Sequence, residues 1–358
     1  MDTYAVILAG DPGLQLWPRA RSDLPKFLLP LLSDGSTLQH TVRHLQPLFA
    51  PEQLLIVTTA VLAPLIRQHL PEIPAENVLV EPFGRGTAPC LMLTTLWYRQ
   101  RGIPDALLVV LPADHLISNI GEFHLSLEHA LWAAERLNAP ILLGHPPERP
   151  ETRFGYVQIE EHPAEELAGR GFYRVRTFAE KPDRATAQRF LESGDFLWYS
   201  GIIVARSSVL WSMLQHSLPE HAAILESVAQ QLDAPEALEV AYRQLRPISF
   251  EHGVLEKAPQ QTLLLRCSFD WSDLGTWDEV YRLMLKDPRN NVLEGDVVTL
   301  NTSGCYVSAS GKPLVLVGVE DLIVVDSDSA LLICRRGQSE QLDELIRYLR
   351  RKRMHRLL

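Results

Sequence analysis

A loop rich in glycine and proline follows the first apolar run and has the composition of a phosphate-binding turn. Residues 4–8 (YAVIL) form a β-prone run, and residues 9–13 (AGDPG) interrupt it. Because glycine carries no side chain, backbone N–H groups in such a loop can approach phosphate oxygens closely. The loop is neither a GxGxxG nor a Walker sequence, and Gly-Asp-Pro-Gly is also an ordinary turn. These residues alone leave phosphate binding and a plain turn both open.

Charged side chains elsewhere have a chemical and a structural interpretation. Asp114 follows an apolar run and Pro112-Ala113, where an aspartate often caps the next turn. Asp273 precedes Leu-Gly, which is typical of an Asx turn. Glu180 and Lys181 are adjacent and could form a surface ion pair worth less than about 1 kcal/mol. Each position therefore needs a larger pattern before chemistry is assigned to it.

Strands alternate with helical segments through the first part of the chain. Apolar runs at 4–8, 54–59, 106–111 and 141–144 are separated by segments of helical periodicity. This alternation predicts an α/β domain with a mostly parallel, Rossmann-like sheet flanked by helices. Such sheets bind ligands beyond the carboxyl ends of their strands, where the loops at Gly10 and Asp114 both lie. From about Thr152 the pattern becomes mixed, with half-exposed strands.

The last part of the chain has a different pattern. A polar, turn-rich linker at 286–291 predicts a boundary between a first domain, 1–285, and a second domain, 286–358. Short strand-like runs follow, and they predict a small β-rich unit, either a sandwich or a β-solenoid such as a left-handed β-helix. A final helix carries Leu342, Leu345, Ile346 and Leu349 on one face and arginines on the other. A docked helix with a solvated basic face is favoured over contact with an anionic partner.

Composition excludes several classes of protein. The chain has 358 residues, of which 46% are hydrophobic, enough for a sizeable core. Lys plus Arg is 34 and Asp plus Glu is 44, giving a net charge of −10 and disfavouring nucleic-acid binding. No apolar run approaches the ~20 residues that cross a bilayer, and no signal-peptide pattern opens the chain. We therefore expect a soluble, cytoplasmic protein with no membrane partner.

Seven segments, taken together and in order, resemble the sugar-phosphate nucleotidyltransferases, and among them the mannose-1-phosphate guanylyltransferases. Any one segment could match by chance, but all seven in the family's order form a specific pattern. The segments are 8–28 (LAGDPGLQLWPRARSDLPKFL), 81–89 (EPFGRGTAP), 111–115 (LPADH), 150–156 (PETRFGY), 178–183 (FAEKPD), 198–201 (WYSG) and 269–277 (FDWSDLGTW).

The resemblance implies magnesium-dependent transfer of GMP from GTP to mannose 1-phosphate, with release of pyrophosphate. It implies that Asp114 and Asp273 hold Mg²⁺ and that Lys26 contacts phosphate, with Gln15 at the second catalytic position. It implies that the nucleotide is bound by Leu8, Ala9, Gly10, Gly13, Glu81, Arg85, Thr87 and Ala88. It implies that the sugar phosphate is bound by Gly155, Tyr156, Glu180, Lys181 and Tyr199. It also implies packing of the β-rich unit on the first domain or on a second subunit, as in a homodimer.

Six positions depart from the family pattern, and they surround the expected ligand. The departures are Asp11 for Gly, Gln15 for Arg, Phe27 for Gln, Gly86 for Asn, Arg153 for Gly and Tyr199 for Asn. Gln15 is the most consequential, because the family's arginine would neutralise charge on the departing pyrophosphate and glutamine offers only neutral hydrogen bonds.

Two interpretations of the departures stay open. One is an active enzyme in which Arg19, Arg21, Arg85 or Arg153 substitutes for the missing cation, and the intact set of Asp114, Asp273 and Lys26 favours it. The other is a degenerate homologue that binds nucleotide sugars or regulates a partner. A dinucleotide-binding oxidoreductase is disfavoured, because the first loop lacks the three-glycine fingerprint.

Overall fold

The computed structural model describes residues 2–31, 35–162, 167 and 169–358. The chain divides into two compact units, each discontinuous in sequence. The first unit comprises Met1–Gly10, Val42–Ala113 and Ile117–Trp271. The second unit comprises Asp11–Thr41, Asp114–Leu116 and Ser272–Leu358. The loop after the first strand thus belongs to the same compact unit as the C-terminal region, while the domain boundary at residue 285 stays a prediction.

Strands and helices occupy most of the described residues. The strands are β1 (Thr3–Ala9), β2 (Leu54–Thr59), β3 (Val78–Glu81), β4 (Leu107–Pro112), β5 (Leu116–Ser118), β6 (Ile141–His145), β7 (Gly155–Ile159), β8 (Phe172–Glu180), β9 (Phe196–Arg206), β10 (Leu263–Arg266), β11 (Asp270–Ser272), β12 (Val292–Glu294), β13 (Val297–Leu300), β14 (Tyr306–Ser308), β15 (Leu314–Val317), β16 (Leu322–Asp326) and β17 (Leu331–Arg335). The helices are α1 (Thr37–Leu45), α2 (Ala63–His69), α3 (Thr87–Gln100), α4 (Ile120–Leu137), α5 (Arg184–Ser193), α6 (Ser207–Ser217), α7 (Pro219–Glu226), α8 (Pro235–Gln244), α9 (Trp277–Leu283) and α10 (Leu342–Arg351). Within the described ranges, none of these helices has the length and apolar character needed to cross a membrane.

The first unit is built on one large sheet. Nine of the described strands follow the order β3-β2-β1-β4-β9-β6-β10-β8-β7. The neighbours β3, β2, β1 and β4 are all parallel, and β6 is parallel to β10. The strands β7, β8 and β9 pair antiparallel with their neighbours, in the region where the sequence pattern becomes mixed. The α/β class is confirmed, with the parallel half of the sheet formed by the N-terminal strands.

The C-terminal strands of the second unit form a β-helix. Successive strands alternate between two sheets: β12, β14 and β16 pair in parallel in one, and β13 and β15 pair in parallel in the other. Val292, Tyr306 and Ile323 therefore lie in register one above another. Asn301 and Asp321 take left-handed backbone conformations, with φ of 52° and 53°. Parallel stacking of consecutive strands is the geometry of a solenoid, so the solenoid alternative is confirmed over the sandwich.

The final helix docks within the second unit, as its apolar face predicts. Leu342, Ile346 and Leu349 on α10 are buried in a cluster that includes Leu16 and Trp277. The Trp17 indole Nε1 also donates a hydrogen bond of 2.6 Å to the Leu357 carbonyl, beyond the end of α10. Burial of three aliphatic side chains fixes the rotation of the helix about its axis. The backbone positions of the arginines on its other face are consequently fixed.

We expect Ile346→Ala to lower stability by about 2–4 kcal/mol, because Ile346 is buried and its truncation would leave a cavity. Glu344→Ala, on an exposed position of the same helix, should change stability by less than about 0.5 kcal/mol. Urea titrations of the three proteins measure the difference. Equal midpoints for the two variants would contradict the docked position of α10.

Candidate active site

A buried lysine stands between the two predicted metal ligands in the second unit. Lys26 is 4% exposed, and its Nζ lies 2.5 Å from Asp114 Oδ2. The same Nζ donates a hydrogen bond of 2.7 Å to the main-chain carbonyl of Asp273. Gly13 makes room for this lysine, since a Cβ at that left-handed position (φ 64°) would lie 2.6 Å from Lys26 Cβ. The structure therefore brings Gly13, Lys26, Asp114 and Asp273 together.

Lys26 affects the pKa values of two neighbouring side chains, Asp114 and His115. Burial disfavours the ionised form of Asp114, but attraction to Lys26 and His115 outweighs it and lowers the pKa of this carboxyl. Burial lowers the pKa of His115, and repulsion by Lys26 acts in the same direction, against the attraction of Asp114 and Asp273. The attraction of neighbouring charges thus favours the carboxylate form of Asp114, and burial favours the neutral form of the His115 imidazole.

The donor chemistry fits a magnesium ion that completes its shell with ligand oxygens. Within the described ranges, no three His, Cys, Asp or Glu side chains are grouped in a way that could hold a metal by themselves. One oxygen of Asp273 also accepts a hydrogen bond of 3.1 Å from Gly275 N, so the Asx-turn alternative is confirmed for that oxygen. Mg²⁺ typically binds one or two protein carboxylates and takes water and phosphate for the rest. Asp114 and Asp273 match that requirement.

The loop after β1 turns one of its own side chains onto its backbone. Asp11 Oδ1 accepts a hydrogen bond of 2.8 Å from Gly13 N, and the Pro12 carbonyl accepts one of 2.8 Å from Lys26 N. Asp11 therefore satisfies an N–H group that a glycine at this position would leave to a ligand. Gln15 lies in the 3₁₀ turn Leu14–Leu16 that follows.

A buried carboxyl lies beside the end of β1 in the first unit. Leu8 and Ala9 belong to β1, and a Cβ on Gly10 would be 3.7 Å from Glu81 Oε2. Glu81 is 4% exposed and accepts a hydrogen bond of 3.0 Å from the Tyr242 hydroxyl. Burial raises the pKa of Glu81 to about 7, against the opposing hydrogen bonds from Tyr242 and Cys90. Sequence reasoning missed Tyr242, because a partner 161 positions away leaves no local signal.

The departure at Gly86 has a steric cause. Gly86 has φ of 89°, and a Cβ there would lie 2.3 Å from the Ile248 carbonyl oxygen. The Ile248 N–H donates a hydrogen bond of 2.9 Å to the Arg85 carbonyl, and Arg85 Nε donates one of 3.0 Å to the Tyr242 carbonyl. Two backbone segments therefore approach too closely for any side chain at position 86.

Thr87 connects the predicted nucleotide segment to an irregular helical turn. Its Oγ1 donates a hydrogen bond of 3.2 Å to Glu251 Oε2 and accepts one of 2.7 Å from Phe250 N. Glu251 opens the π-helical turn Glu251–Leu255. Ala88 follows within α3 and is fully buried. The Thr87 hydroxyl and the Glu251 carboxylate thereby fix each other.

The residues predicted for the sugar meet where β7 pairs with β8. Gly155 is in register with Glu180, and a Cβ at Gly155 would lie 3.0 Å from Glu180 Oε2. Burial raises the pKa of Glu180 although Lys181 Nζ is 3.2 Å from Oε1. The Glu180 side chain is 17% exposed and that of Lys181 is 63% exposed. Glu180 thus has a largely buried carboxyl, and its partner Lys181 is exposed to solvent. The Glu180 backbone N–H also donates a hydrogen bond of 3.0 Å to the Glu256 carboxylate.

Two tyrosines predicted at the sugar lie in the core of the first unit. Tyr156 is fully buried, and its hydroxyl accepts a hydrogen bond of 2.9 Å from Glu151 N. Tyr199 is 6% exposed and packs on Phe178 with ring centroids 5.6 Å apart. Any contact of Tyr156 with a ligand must therefore involve its backbone. Burial raises the pKa of Tyr199, and the nearby Glu251 and Glu180 carboxylates act in the same direction.

The predicted residues fall into two sets, each compact within its own unit. The second unit holds Gly13, Gln15, Lys26, Asp114 and Asp273. The first unit holds Leu8, Ala9, Gly10, Glu81, Arg85, Thr87, Ala88, Gly155, Tyr156, Glu180, Lys181 and Tyr199. The set in the second unit contains an ammonium and two carboxylates, and the set in the first unit contains buried carboxyls and hydroxyls.

Comparison with known proteins agrees with these features. Residues 4–290 match the nucleotidyl transferase family, and residues 295–349 match the MannoseP isomerase/GMP-like beta-helix domain. The chain therefore belongs to the nucleotidyl transferase family and is a nucleotidyltransferase.

Named relatives place the chain within that family. It is 31% identical to a mannose-1-phosphate guanylyltransferase of Klebsiella pneumoniae over 96% of this chain and 73% of the relative. It is 30% identical to the alginate biosynthesis protein AlgA of Pseudomonas aeruginosa, over 96% of this chain and 71% of that protein. A crystal structure described as mannose-1-phosphate geranyltransferase, from Thermus thermophilus, superposes with a TM-score of 0.86 at 31% identity, covering 98% of this chain and 100% of that one.

We expect Gly86→Ala to destabilise the protein by more than about 1 kcal/mol, because the new Cβ would collide with the Ile248 carbonyl at a positive φ. Gly84→Ala is the matched control, since a Cβ there has no heavy atom within 4 Å. Thermal unfolding of both variants measures the contrast. A Gly86→Ala variant as stable as Gly84→Ala would refute the close approach.

We expect Glu81→Gln to change the pH dependence of stability. The pKa of Glu81 is about 7 in the folded protein and near 4.5 when exposed, so the folded state holds a proton that the unfolded state releases. The natural protein should therefore lose stability as pH rises from about 4.5 to about 7, by at most about 3 kcal/mol. The glutamine variant should lack this loss. Urea midpoints from about pH 5 to about pH 8 that run parallel for the two proteins would contradict the assignment.

Proposed function

We propose that the protein transfers GMP from GTP to mannose 1-phosphate in the presence of Mg²⁺, releasing pyrophosphate and forming GDP-mannose. The observation that carries the proposal is the buried Lys26 ammonium shared by Asp114 and the Asp273 carbonyl. Family membership and the relatives named mannose-1-phosphate guanylyltransferase support the substrate pair. Self-association into a homodimer remains a prediction.

The reaction needs alignment and charge neutralisation rather than a covalent enzyme intermediate. A phosphate oxygen of the sugar phosphate forms a bond to the α-phosphorus of GTP. The bond from that phosphorus to the bridging oxygen of the β-phosphate breaks, and its electron pair leaves with pyrophosphate. Polyanionic reactants repel each other, so held cations and precise positioning supply most of the rate.

Lys26 and the two aspartates supply those charges. Lysine has three N–H donors, and the contacts with Asp114 and the Asp273 carbonyl account for two of them, so the third can meet a phosphate oxygen. The Asp114 and Asp273 carboxylates would hold Mg²⁺. When bound there, Mg²⁺ would supply charge neutralisation to the phosphates. Asp114 is also the ion-pair partner of the buried Lys26, so we assign it a second role apart from metal.

The first unit supplies groups suited to the nucleoside and the sugar. Gly10 and Glu81 form a close pair at the end of β1, and Thr87 is held by Glu251. We assign these residues, with Arg85, to the nucleotide. Glu180 has a partly buried carboxyl that can accept hydrogen bonds from sugar hydroxyls, and Lys181 is exposed enough to contact the sugar phosphate.

A second candidate function is favoured by the Asp11 contact. Asp11 places a carboxylate in the loop that should cradle phosphate and occupies the Gly13 N–H. A homologue with a weakened cradle would bind nucleotide sugar without turnover and act as a binding or regulatory subunit. Pyrophosphate release by the natural protein separates the two functions, and recovery of activity only in Gln15→Arg would favour the degenerate homologue.

We expect Asp273→Asn to lower kcat/KM for pyrophosphate release by about 100-fold or more, because a magnesium ligand loses its charge. An asparagine can still accept the hydrogen bond from Gly275 N, so stability should change little. Asp233→Asn removes an exposed carboxylate as the control and should retain activity. Full turnover in Asp273→Asn would refute the metal assignment. Asp114→Asn is the weaker test, because it also leaves the buried Lys26 unpaired and should destabilise the fold.

A further inference from the structure

A cavity in the second unit joins the loop after β1 to the C-terminal helix. Its volume is about 360 Å³, and all of its lining residues belong to the second unit. Its polar lining consists of Asp11, Gln15, Asp343, Arg347 and Arg350. The cavity thus contains two of the three charge-altering departures from the family pattern, Asp11 and Gln15, together with two arginines from the basic face of α10.

The position of the two arginines follows from the packing of α10. Burial of Leu342, Ile346 and Leu349 fixes the rotation of the helix. Arg347 and Arg350 are three positions apart, so they share a face and line the same cavity. Both are exposed, and in the described part of the chain neither guanidinium forms an ion pair; Arg347 Nε makes one long hydrogen bond of 3.3 Å to the Asp343 carbonyl. Most of their N–H donors can therefore reach a ligand.

Four other arginines could in principle replace the cation missing at position 15, but each of them contacts other groups. Arg19 forms an ion pair of 3.7 Å with Glu294, and Arg21 forms one of 3.3 Å with Asp23. In the first unit, Arg153 pairs with Glu151 at 3.2 Å, and Arg85 donates to the Tyr242 carbonyl. None of these four lines the cavity that contains Gln15. The cations that line that cavity are Arg347 and Arg350 of α10.

The cavity is lined by two carboxylates, Asp11 and Asp343, and two guanidinium groups, Arg347 and Arg350, so its formal charges balance. Asp11 Oδ1 is already held by Gly13 N. Asp343 lies in the first turn of α10, where the partial positive charge of the helix N-terminus stabilises it. Two guanidinium groups remain whose planar donor pattern matches phosphate oxygens in a bidentate way.

We propose that Arg347 and Arg350 bind the β- and γ-phosphates of the nucleoside triphosphate, and the pyrophosphate formed from them, in place of a cation at position 15. This inference rests on the proposed function for its substrate, but its binding site can be tested without turnover. The C-terminal helix then carries specificity-determining residues that contact the leaving group, and the solvated face of α10 is functional.

Calorimetric titration with inorganic pyrophosphate in excess MgCl₂ tests the site directly. We expect the double variant Arg347→Ala/Arg350→Ala to bind pyrophosphate about 10-fold or more weakly than the natural protein, because two charge-assisted contacts are lost. The control Arg351→Ala/Lys352→Ala removes the same charge from adjacent positions that do not line the cavity. It should bind as the natural protein does. GMP lacks the β- and γ-phosphates, so its affinity should be unchanged in all three proteins.

Restoring the signature cation provides the decisive second measurement. Adding Gln15→Arg to the Arg347→Ala/Arg350→Ala background should recover most of the lost pyrophosphate affinity, since Gln15 lines the same cavity. A merely structural role of the arginines would not be rescued from position 15.

The outcomes separate this inference from the proposed function. Equal losses in the double variant and its control, or no binding of pyrophosphate by the natural protein, would overturn the inference even if GMP transfer is observed. Arginine-dependent binding without any GMP transfer would support the inference and reject the proposed function.

Discussion

The chemistry of the second unit depends on one buried ammonium. Removing the Lys26 charge from water is costly unless close partners replace its hydration, and Asp114 and the Asp273 carbonyl do so. The packing of Lys26 also restricts which residue can occupy position 13. Only a residue without a side chain can stand at position 13, because Lys26 Cβ occupies the space. The glycine of the loop is therefore explained first by lysine packing and only second by room for a ligand.

The same contact makes the metal assignment and the fold interdependent. Asp114 neutralises Lys26 and is also an expected magnesium ligand, so these roles compete for its oxygens. Asp273 divides the demand differently, because its carbonyl accepts a hydrogen bond from Lys26 and one carboxylate oxygen accepts one from Gly275 N. A magnesium ion that brings its own phosphate and water ligands suits such a site better than a metal that needs a full protein shell.

Sequence patterns predicted features that depend on local periodicity, and they failed where the partner is remote. Continuous apolar runs identified β1, β2 and β4, because strands that are buried on both faces have near-continuous hydrophobic sequences. The short strands after residue 291 predicted a β-rich unit, but parallel stacking could not be read from them without a strict repeat. The contact of Tyr242 with Glu81 and the approach of Ile248 to Gly86 join distant segments, so neither leaves a local signal.

The two departures in the loop after β1, Asp11 and Gln15, make more sense as one electrostatic set than as separate losses. A glutamine at position 15 removes a positive charge from the cavity and Asp11 adds a negative one, whereas Arg347 and Arg350 supply two positive charges to the same cavity. The two arginines therefore offset both changes in the loop in formal charge, and Asp343 adds one further negative charge to the cavity. Because α10 is fixed by its apolar face, the backbone positions of Arg347 and Arg350 beside this cavity are fixed as well. A substitution that looks degenerate in the loop alone is therefore compatible with phosphate binding once the C-terminal helix is included.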